Sequence, residues 1–319
     1  MRYFFIFNPG SRHGQSAPLI ARLRSLLVAR KVIFECAITG SLHDACTLSK
    51  EANRAGYDVV VAVGGDGTIN RVINGFYDEN GSRLSRASLG VIYTGTSPDF
   101  CKSYAVPYGA IERSLDVLLA GRTTQIQLGQ ITLNTAGADG CPGQGVPERV
   151  TRYFACCVNI GLGASVAREA NAGGRKRWGD SVGTLRAIIR SFRQYRRLKL
   201  AVSCDGRAEI WPGLCNLSIG KTWHIASGIK VNGTLIEGDG RFYLLAVKDV
   251  AWRHVPHCLM AVYSGKPISN SRQISLAYAR RVDVKADQPA VEVEFDGDPQ
   301  GFLPCGVTMA KDKLELIHA

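Results

Sequence analysis

Residues 58–70 read DVVVAVGGDGTIN, and the fold is decided there. Asp58 to Val63 is β-branched and almost unbroken in apolar character, as in a strand buried on both faces of a parallel sheet. Gly64, Gly65 and Gly67 then remove the Cβ atoms that keep a backbone from turning tightly and meeting a ligand closely. From Thr68 to Phe76 the apolar spacing is that of a helix, and N–H groups at a helix start attract phosphate. Strand, glycine turn and helix in this order predict a phosphate site. Asp66, inside the turn, has the wrong sign to touch phosphate directly. A metal ion, a sugar hydroxyl or ordered groups of the loop itself would each account for it. The structural alternative is a plain glycine-rich strand-to-helix turn.

Around this stretch the first part of the chain alternates strands and helices. Tyr3–Phe7, Val32–Ile38 and Leu89–Tyr93 read as strands; Ser16–Arg30, Leu42–Ala55 and Gly109–Ala120 read as helices. This rhythm predicts a doubly wound, mostly parallel sheet over residues 1–122. Such sheets bind ligands beyond the carboxyl ends of their strands. Asn8–Gly14, Gly64–Thr68 and Thr94–Phe100 each follow a strand there, and each is rich in Gly, Ser or Thr. After Gly121 the pattern changes. Thr123–Asn134 and Arg149–Ile160 are strand-like, joined by a Gly/Pro-rich loop, Thr135–Glu148. Lys199–Cys204, Ala208–Trp211, Cys215–Gly220, Arg241–Val247, Gln273–Ala279, Arg281–Lys285 and Val291–Phe295 follow. Residues 123–319 are therefore expected to form a β-rich, sandwich-like domain, its last residues open to packing back on the first.

The composition, 45% hydrophobic and 21% charged over 319 residues, is that of a globular protein with a large core. No apolar run reaches the length of a transmembrane helix, and Met1–Phe7 halts at Asn8-Pro9, too short for a signal peptide. Ten cysteines without a C-x-x-C pair, and few histidines, argue against a zinc site or disulfide framework and for a reducing cytoplasm. The net charge of +12 is uneven: from Arg168 to Lys199, ten Lys/Arg face only Glu169 and Asp180, a local +8. Over 181–197, Arg186, Arg190, Arg193 and Arg197 share one helical stripe, opposite Leu185, Ile188, Ile189, Phe192 and Tyr195. Such a helix suits an anionic membrane surface, and equally a solvated cationic face packed on a sheet. No aromatic interleaving or reader motif points to nucleic acid.

Taken together, these residues resemble the diacylglycerol kinase catalytic-domain family, especially its soluble bacterial lipid kinases and the sphingosine kinases. Asn8-Pro9-Gly10-Ser11 with Gly14 resembles the family's N-P-x-S-G-x-G loop, and Gly64–Thr68 is its G-G-D-G-T. Gly95–Phe100 resembles G-T-G-N-D-F, Asn159–Gly163 a strand end opening toward the lipid region, and Phe295–Asp298 the late D-G-E. Ser227–Gly240 resembles a G-G-x-x-x-x-P…D-D-G segment whose acidic residues hold a structural metal. Ser97-Pro98 stands in place of Gly-Asn, Gly238 in place of the first Asp of D-D-G, and Asp298 in place of Glu. Proline removes a backbone donor beside the nucleotide.

The resemblance implies transfer of the γ-phosphate of ATP, with Mg²⁺, to a hydroxyl of a lipid such as diacylglycerol, a glycerophospholipid or a sphingoid base. It implies a cleft between the domains where Asn8, Ser11, Thr39, Gly64, Gly65, Asp66, Gly67, Thr68, Gly95 and Thr96 meet the nucleotide. Asp296 is then the catalytic base, and Asp66, Asp99, Glu237 and Asp239 the metal-facing carboxylates. Without the resemblance, Asp296-Gly297 and Asp239-Gly240 are also ordinary hairpin turns, and Asp99 a helix cap. Gly161-Leu162-Gly163 lacks the third glycine of a dinucleotide loop. The implied setting is a cytoplasmic enzyme, peripherally bound to membrane through 181–197, with a homodimer left open. Pro98 and Gly238 keep open a kinase fold retained for lipid binding or regulation. NAD kinases share G-G-D-G-T, but the Asn-Glu pair expected of them occurs nowhere in this chain.

Overall fold

The computed structural model describes residues 1–41, 43–135, 148–164, 197–225, 229–231, 239–251, 254, 268, 270–288 and 290–319. Most of the loop 135–148, the basic segment 181–196, and Ser227, Gly228, Glu237 and Gly238 lie outside them. The chain splits into two compact units, Met1–Leu128 with Ala310–Ala319, and Gly129–Met309. The first opens with β1 (Tyr3–Phe7), α1 (Ala17–Ala29), β2 (Phe34–Ile38), α2 (Asp44–Arg54), β3 (Val59–Gly64), α3 (Asp66–Asn74) and β4 (Ser88–Tyr93). Helices α4 (Asp99–Ser103) and α5 (Ile111–Ala120) precede β5 (Thr123–Ile126). The second unit begins with β6 (Gly129–Asn134), β7 (Arg149–Phe154), β8 (Cys157–Gly161), β9 (Leu198–Cys204) and β10 (Arg207–Gly220). A short pair, β11 (His224–Ile225) and β12 (Ile229–Lys230), leads to β13 (Phe242–Lys248), β14 (Ile274–Ala279) and β15 (Val282–Ala286). After β16 (Glu292–Phe295) and β17 (Asp298–Met309), β18 (Leu314–Ile317) belongs again to the first unit.

The first sheet has the order β2-β1-β3-β4-β18-β5, and β1 to β4 are parallel. Every residue of β3 and β4 is buried, which is why β3 carries no polar alternation. Phe5, Phe7, Val59, Val61 and Val63 pack with Leu23 and Leu27 of α1 and Leu115 and Leu118 of α5. The alternate residues Ile6, Val60 and Ala62 are equally inaccessible, so these strands are covered on both faces. This is the doubly wound arrangement that the alternation of elements predicts.

In the second unit, β10-β8-β16-β17-β15-β9 are successive antiparallel neighbours, and β9 pairs β10 again. The sandwich-like expectation thus takes the form of a closed ring of strands, with β13 and β14 extending from β10 and with β6 and β7 extending from β17. Closure removes strand edges that would otherwise stay unpaired. It relies on β10 bending. Arg207–Trp211 pair with β9 and Asn216–Gly220 with β8, on either side of a register shift at Pro212-Gly213. Reading a break there as two strands follows from Pro and Gly disfavouring a continuous ladder.

Two expectations change. The stretch Thr123–Asn134 is not one strand: β5 pairs β18 in the first sheet, while β6 pairs β17 in the second. The first unit therefore runs past residue 122 to Leu128. Strand β17 was not expected, because Pro299, Gly301, Pro304 and Gly306 obscure its pattern. Its register shifts between Phe302 and Cys305, beside Pro304, where a ladder hydrogen bond is unavailable anyway.

The last strand is anchored by a core residue, Leu316, paired with Leu89 of β4 and fully buried. Leu316→Ala is expected to cost about 2–5 kcal/mol in urea denaturation. A loss below about 0.5 kcal/mol, the range of surface changes, would show that β18 is not integral to the sheet.

Candidate functional site

The chain passes from β1 to β2 on one side of the first sheet and from β3 to β4 on the other, so the strand order reverses between β1 and β3. Ligands of open parallel sheets bind at this switch, beyond the carboxyl ends. Asn8–Gly14, Thr39, Gly65–Thr68 and Thr94–Asp99 follow those ends in turn. Asn8 joins both sides of the switch: its Nδ2 donates to Thr68 Oγ1 at 2.8 Å and its Oδ1 accepts from Gly10 N at 3.0 Å. Ser11 Oγ lies 2.9 Å from Asn8 O, 2.6 Å from Ser16 Oγ and 3.0 Å from Thr94 Oγ1. Ser16 Oγ in turn reaches Thr94 O at 3.1 Å. Hydroxyls thus lace the loops after β1 and β4 together.

At Gly65 and Gly95 the loops after β3 and β4 touch through backbone. A Cβ at Gly95 would fall 2.5 Å from Gly65 Cα and 2.6 Å from Tyr93 Oη, so no side chain fits. Gly65 stands in extended conformation directly before α3, whose first residues are Asp66, Gly67 and Thr68. The first-turn N–H groups of a helix lack intrahelical partners and carry the positive end of its dipole. Gly64 ends β3, and Thr96 follows Gly95 in the half-exposed loop. Thr39, 6% exposed just after β2, has a hydroxyl with no hydrogen-bond partner among the described residues. A buried orphan hydroxyl and a cradle without Cβ atoms fit the phosphate of a nucleotide.

Asp66 resolves toward the loop itself. Its Oδ2 accepts from Tyr93 O–H and its Oδ1 from Phe100 N–H, both at 3.2 Å. Burial above all, then the charge of Asp66, raises the Tyr93 hydroxyl far above its ordinary value, so Tyr93 remains a donor. Asp99 opens α4, its N–H donating to Ser97 O at 2.8 Å, and Pro98 O accepts from Lys102 N at 2.9 Å. Pro98 therefore stands where a helix tolerates proline, just ahead of its first turn.

In the second unit Asp296 and Gly297 form the two-residue turn between β16 and β17, with φ of +49° and +89°. Positive φ at both positions is the geometry that two-residue hairpins favour. Asp296 is nevertheless buried, at 8% exposure. Its Oδ2 accepts from Ala155 N at 2.6 Å, and its Oδ1 from Cys156 N at 2.8 Å and Cys157 N at 3.3 Å. The carboxylate is thereby fixed against the bend between β7 and β8. Asp239, assigned to a structural metal, instead meets Arg241: Nη2 at 2.7 Å and Nε at 2.8 Å from Oδ2, and the backbone N at 2.8 Å from Oδ1. The Arg241 guanidinium also lies 5.5 Å over the Tyr278 ring. An internal cation holds this carboxylate, and no group of three or more His, Cys, Asp or Glu among the described residues is arranged for a metal. Glu237 lies outside the described residues.

Ser16, Tyr93 and Thr94 were missed. Ser16 reads as an ordinary helix cap, yet it is fully buried and caps nothing through its side chain. Tyr93 reads as the last apolar residue of β4; only Asp66 on the next strand's loop gives its hydroxyl a purpose.

Residues 2–131 match a family model described as the diacylglycerol kinase catalytic domain, and 156–318 one described as the YegS C-terminal NAD kinase beta sandwich-like domain. A diacylglycerol kinase of Staphylococcus saprophyticus is 24% identical over 295 residues, covering 91% of this chain and 87% of that protein. One from Staphylococcus aureus is 25% identical, covering 83% and 76%. The crystal structure of a diacylglycerol kinase from Bacillus anthracis matches with a TM-score of 0.67 at 16% identity, covering 100% of this chain and 97% of that one. No helix among the described residues is long and apolar enough to cross a membrane.

Two outcomes follow from the second unit. Asp296→Asn sets an amide NH₂ against backbone donors, and is expected to cost about 1–3 kcal/mol in urea denaturation; unchanged stability would mean the three N–H contacts do not hold the turn. In the absence of nucleotide, the melting temperature is expected to be the same in EDTA as in magnesium. A fall on chelation would show that a cation, not Arg241, secures Asp239.

Proposed function

Because this chain belongs to the diacylglycerol kinase catalytic-domain family, we propose that it is a lipid kinase, moving the γ-phosphoryl group of ATP to a hydroxyl of an amphiphilic acceptor. The observation that carries the reading is the side-chain-free contact of Gly65 and Gly95 beyond the carboxyl ends of β3 and β4, beside the sheet's switch point, with the buried Thr39 hydroxyl just after β2.

Phosphoryl transfer asks a protein mainly for position and for charge neutralisation. The phosphates lie against the first-turn N–H groups of α3 and the backbone at Gly10-Ser11 and Gly95-Thr96, with Thr39 donating its hydroxyl. Magnesium, bound with the nucleotide, would neutralise the phosphate oxygens. Asp66 serves by holding Tyr93 and the Phe100 amide, which keeps the loop after β4 seated on Gly65. Asp296 accepts the proton of the acceptor hydroxyl as its oxygen bonds phosphorus and the bond to the ADP oxygen breaks. Three backbone donors fix that carboxylate in place, so its geometry is set before the acceptor arrives. Diacylglycerol, a glycerophospholipid and a sphingoid base all present a suitable hydroxyl beside apolar chains. The basic segment 181–197 would bring the enzyme to an anionic membrane surface, where each Lys or Arg adds roughly 1 kcal/mol.

The test is transfer of labelled phosphate from ATP into micellar diacylglycerol, phosphatidylglycerol and sphingosine. Wild type is expected to label one of them. Gly95→Ala is expected to weaken ATP binding at least about tenfold by calorimetry, a loss of about 1.4 kcal/mol. No product from any lipid, together with no heat on ATP addition, would favour a kinase fold kept for lipid binding.

A further inference from the structure

A row of buried polar side chains crosses three neighbouring strands of the second unit, and nothing in the proposed transfer uses it. Glu294 on β16, Asn159 on β8 and Ser218 on β10 are register partners, exposed by 3%, 9% and 3%. Asn159 Nδ2 donates to Glu294 Oε2 at 2.7 Å, and Ser218 Oγ donates to Asn159 Oδ1 at 2.5 Å. Asn216 Nδ2 donates to Ser218 Oγ at 3.0 Å, and its own Oδ1 accepts from Gly163 N at 2.7 Å. The other oxygen, Glu294 Oε1, accepts from Gly297 N at 2.5 Å. The row therefore runs from Gly163, past the end of β8, to the turn that carries Asp296.

From Gly163 as far as Glu294 every bond points the same way, and the Gly297 N–H meets Glu294 from the opposite side. Each side chain accepts from the Gly163 side and donates toward Glu294, where a group able to accept on both oxygens terminates the sequence. Such a row has a polarity, and Glu294 sets it. An amide at 294 could not keep both ends. With its NH₂ toward Gly297, two donors collide at the turn. With its NH₂ toward Asn159, Asn159 must reverse, and Ser218 Oγ must then accept from both Asn159 and Asn216, which takes away the acceptor its own hydroxyl proton uses.

Retaining a carboxyl here is costly. Burial, with Asp296 and Asp298 nearby, pushes it up to about 8 in spite of its two donors. The titratable groups bearing on it among the described residues are Asp296 in the turn, Asp298 on β17 and the Cys157 thiol beside Asn159 on β8; β10 brings only Ser218 and Asn216. A purely structural position would be filled as well by an apolar or amide side chain.

We propose that Glu294 is a positioning residue for phosphoryl transfer, coupling the Asp296-Gly297 turn to the Gly163 backbone through the polar row. This rests on the reading of Asp296 as the base. It predicts that function and stability separate in Glu294→Gln. Turnover is expected to fall about tenfold with the KM for ATP unchanged, because the nucleotide loops belong to the other unit. Stability moves differently. A carboxyl raised to about 8 in the fold lends stability in acid that is withdrawn as pH rises through that value. The wild-type melting temperature is therefore expected to fall between about pH 5 and 8, and that of Glu294→Gln to fall less. Asn216→Ala, at the far end of the row, is expected to lower turnover too, and the double variant to be no slower than the slower single variant.

Turnover of Glu294→Gln within twofold of wild type, or turnover and melting temperature falling together at every pH, would overturn the proposal. So would independent, multiplying losses in the double variant. Failure of the underlying reading is distinguishable: Asp296→Asn would then keep wild-type turnover while remaining folded, or the wild type itself would transfer phosphate to no lipid.

Discussion

Strands β3 and β4 lie side by side, are parallel and end at the same level, Gly64 opposite Tyr93. Whatever follows each strand must share the same few ångströms, and the backbone of Gly65 already occupies the place where a side chain at 95 would go. The rest of the first unit's candidate site depends on this exclusion. It lets the loop after β4 settle on the start of α3, which brings Tyr93 and the Phe100 amide to Asp66 and Thr94 to Ser11 and Ser16. The acidic residue in the glycine turn thus works as a fastener. The glycines of this contact leave the backbone N–H groups at the start of α3 uncrowded by side chains, and such donors suit phosphate irrespective of what it is attached to.

The parallel sheet was legible because its determinants are local. An unbroken apolar strand, a glycine turn and a helical repeat lie within nineteen consecutive residues, 58–76. The second unit was legible as β-rich but not in its closure, since closure depends on which half of β10 pairs with which neighbour, and Pro212-Gly213 locally argues for a stop. Strand β17 failed for the same reason: proline and glycine at Pro299, Gly301, Pro304 and Gly306 break the period while leaving the pairing intact.

Site residues divided along similar lines. Positions chosen for what they lack, such as Gly65 and Gly95, could be picked from the sequence, because the absence of a side chain is visible there. Positions defined by a distant partner could not. Ser16 matters through Thr94, 78 residues away, and Tyr93 through Asp66. Asp239 is the instructive case. Its resemblance to the family's D-D-G segment implied a metal ligand, but the residue two positions on is an arginine, and a guanidinium at 2.7 Å already neutralises this carboxylate.

The pairing of β5 with β18 has an implication for how the protein comes into being. These two strands are antiparallel neighbours, Thr123 opposite Ile317 and Ile126 opposite Leu314, so the whole of Gly129–Met309 is inserted between the arms of one long-range hairpin. During synthesis the ribosome releases β1 to β5 before the second unit, yet β4 lacks its neighbour β18 until Leu314–Ile317 emerge. In the meantime the first sheet presents an open, largely apolar edge strand, the kind of surface that pairs with other chains. The second unit has no such wait, since all its strands are complete by Met309. Completion of the first sheet therefore waits on the strands of the second unit, although β1 to β5 are made before them.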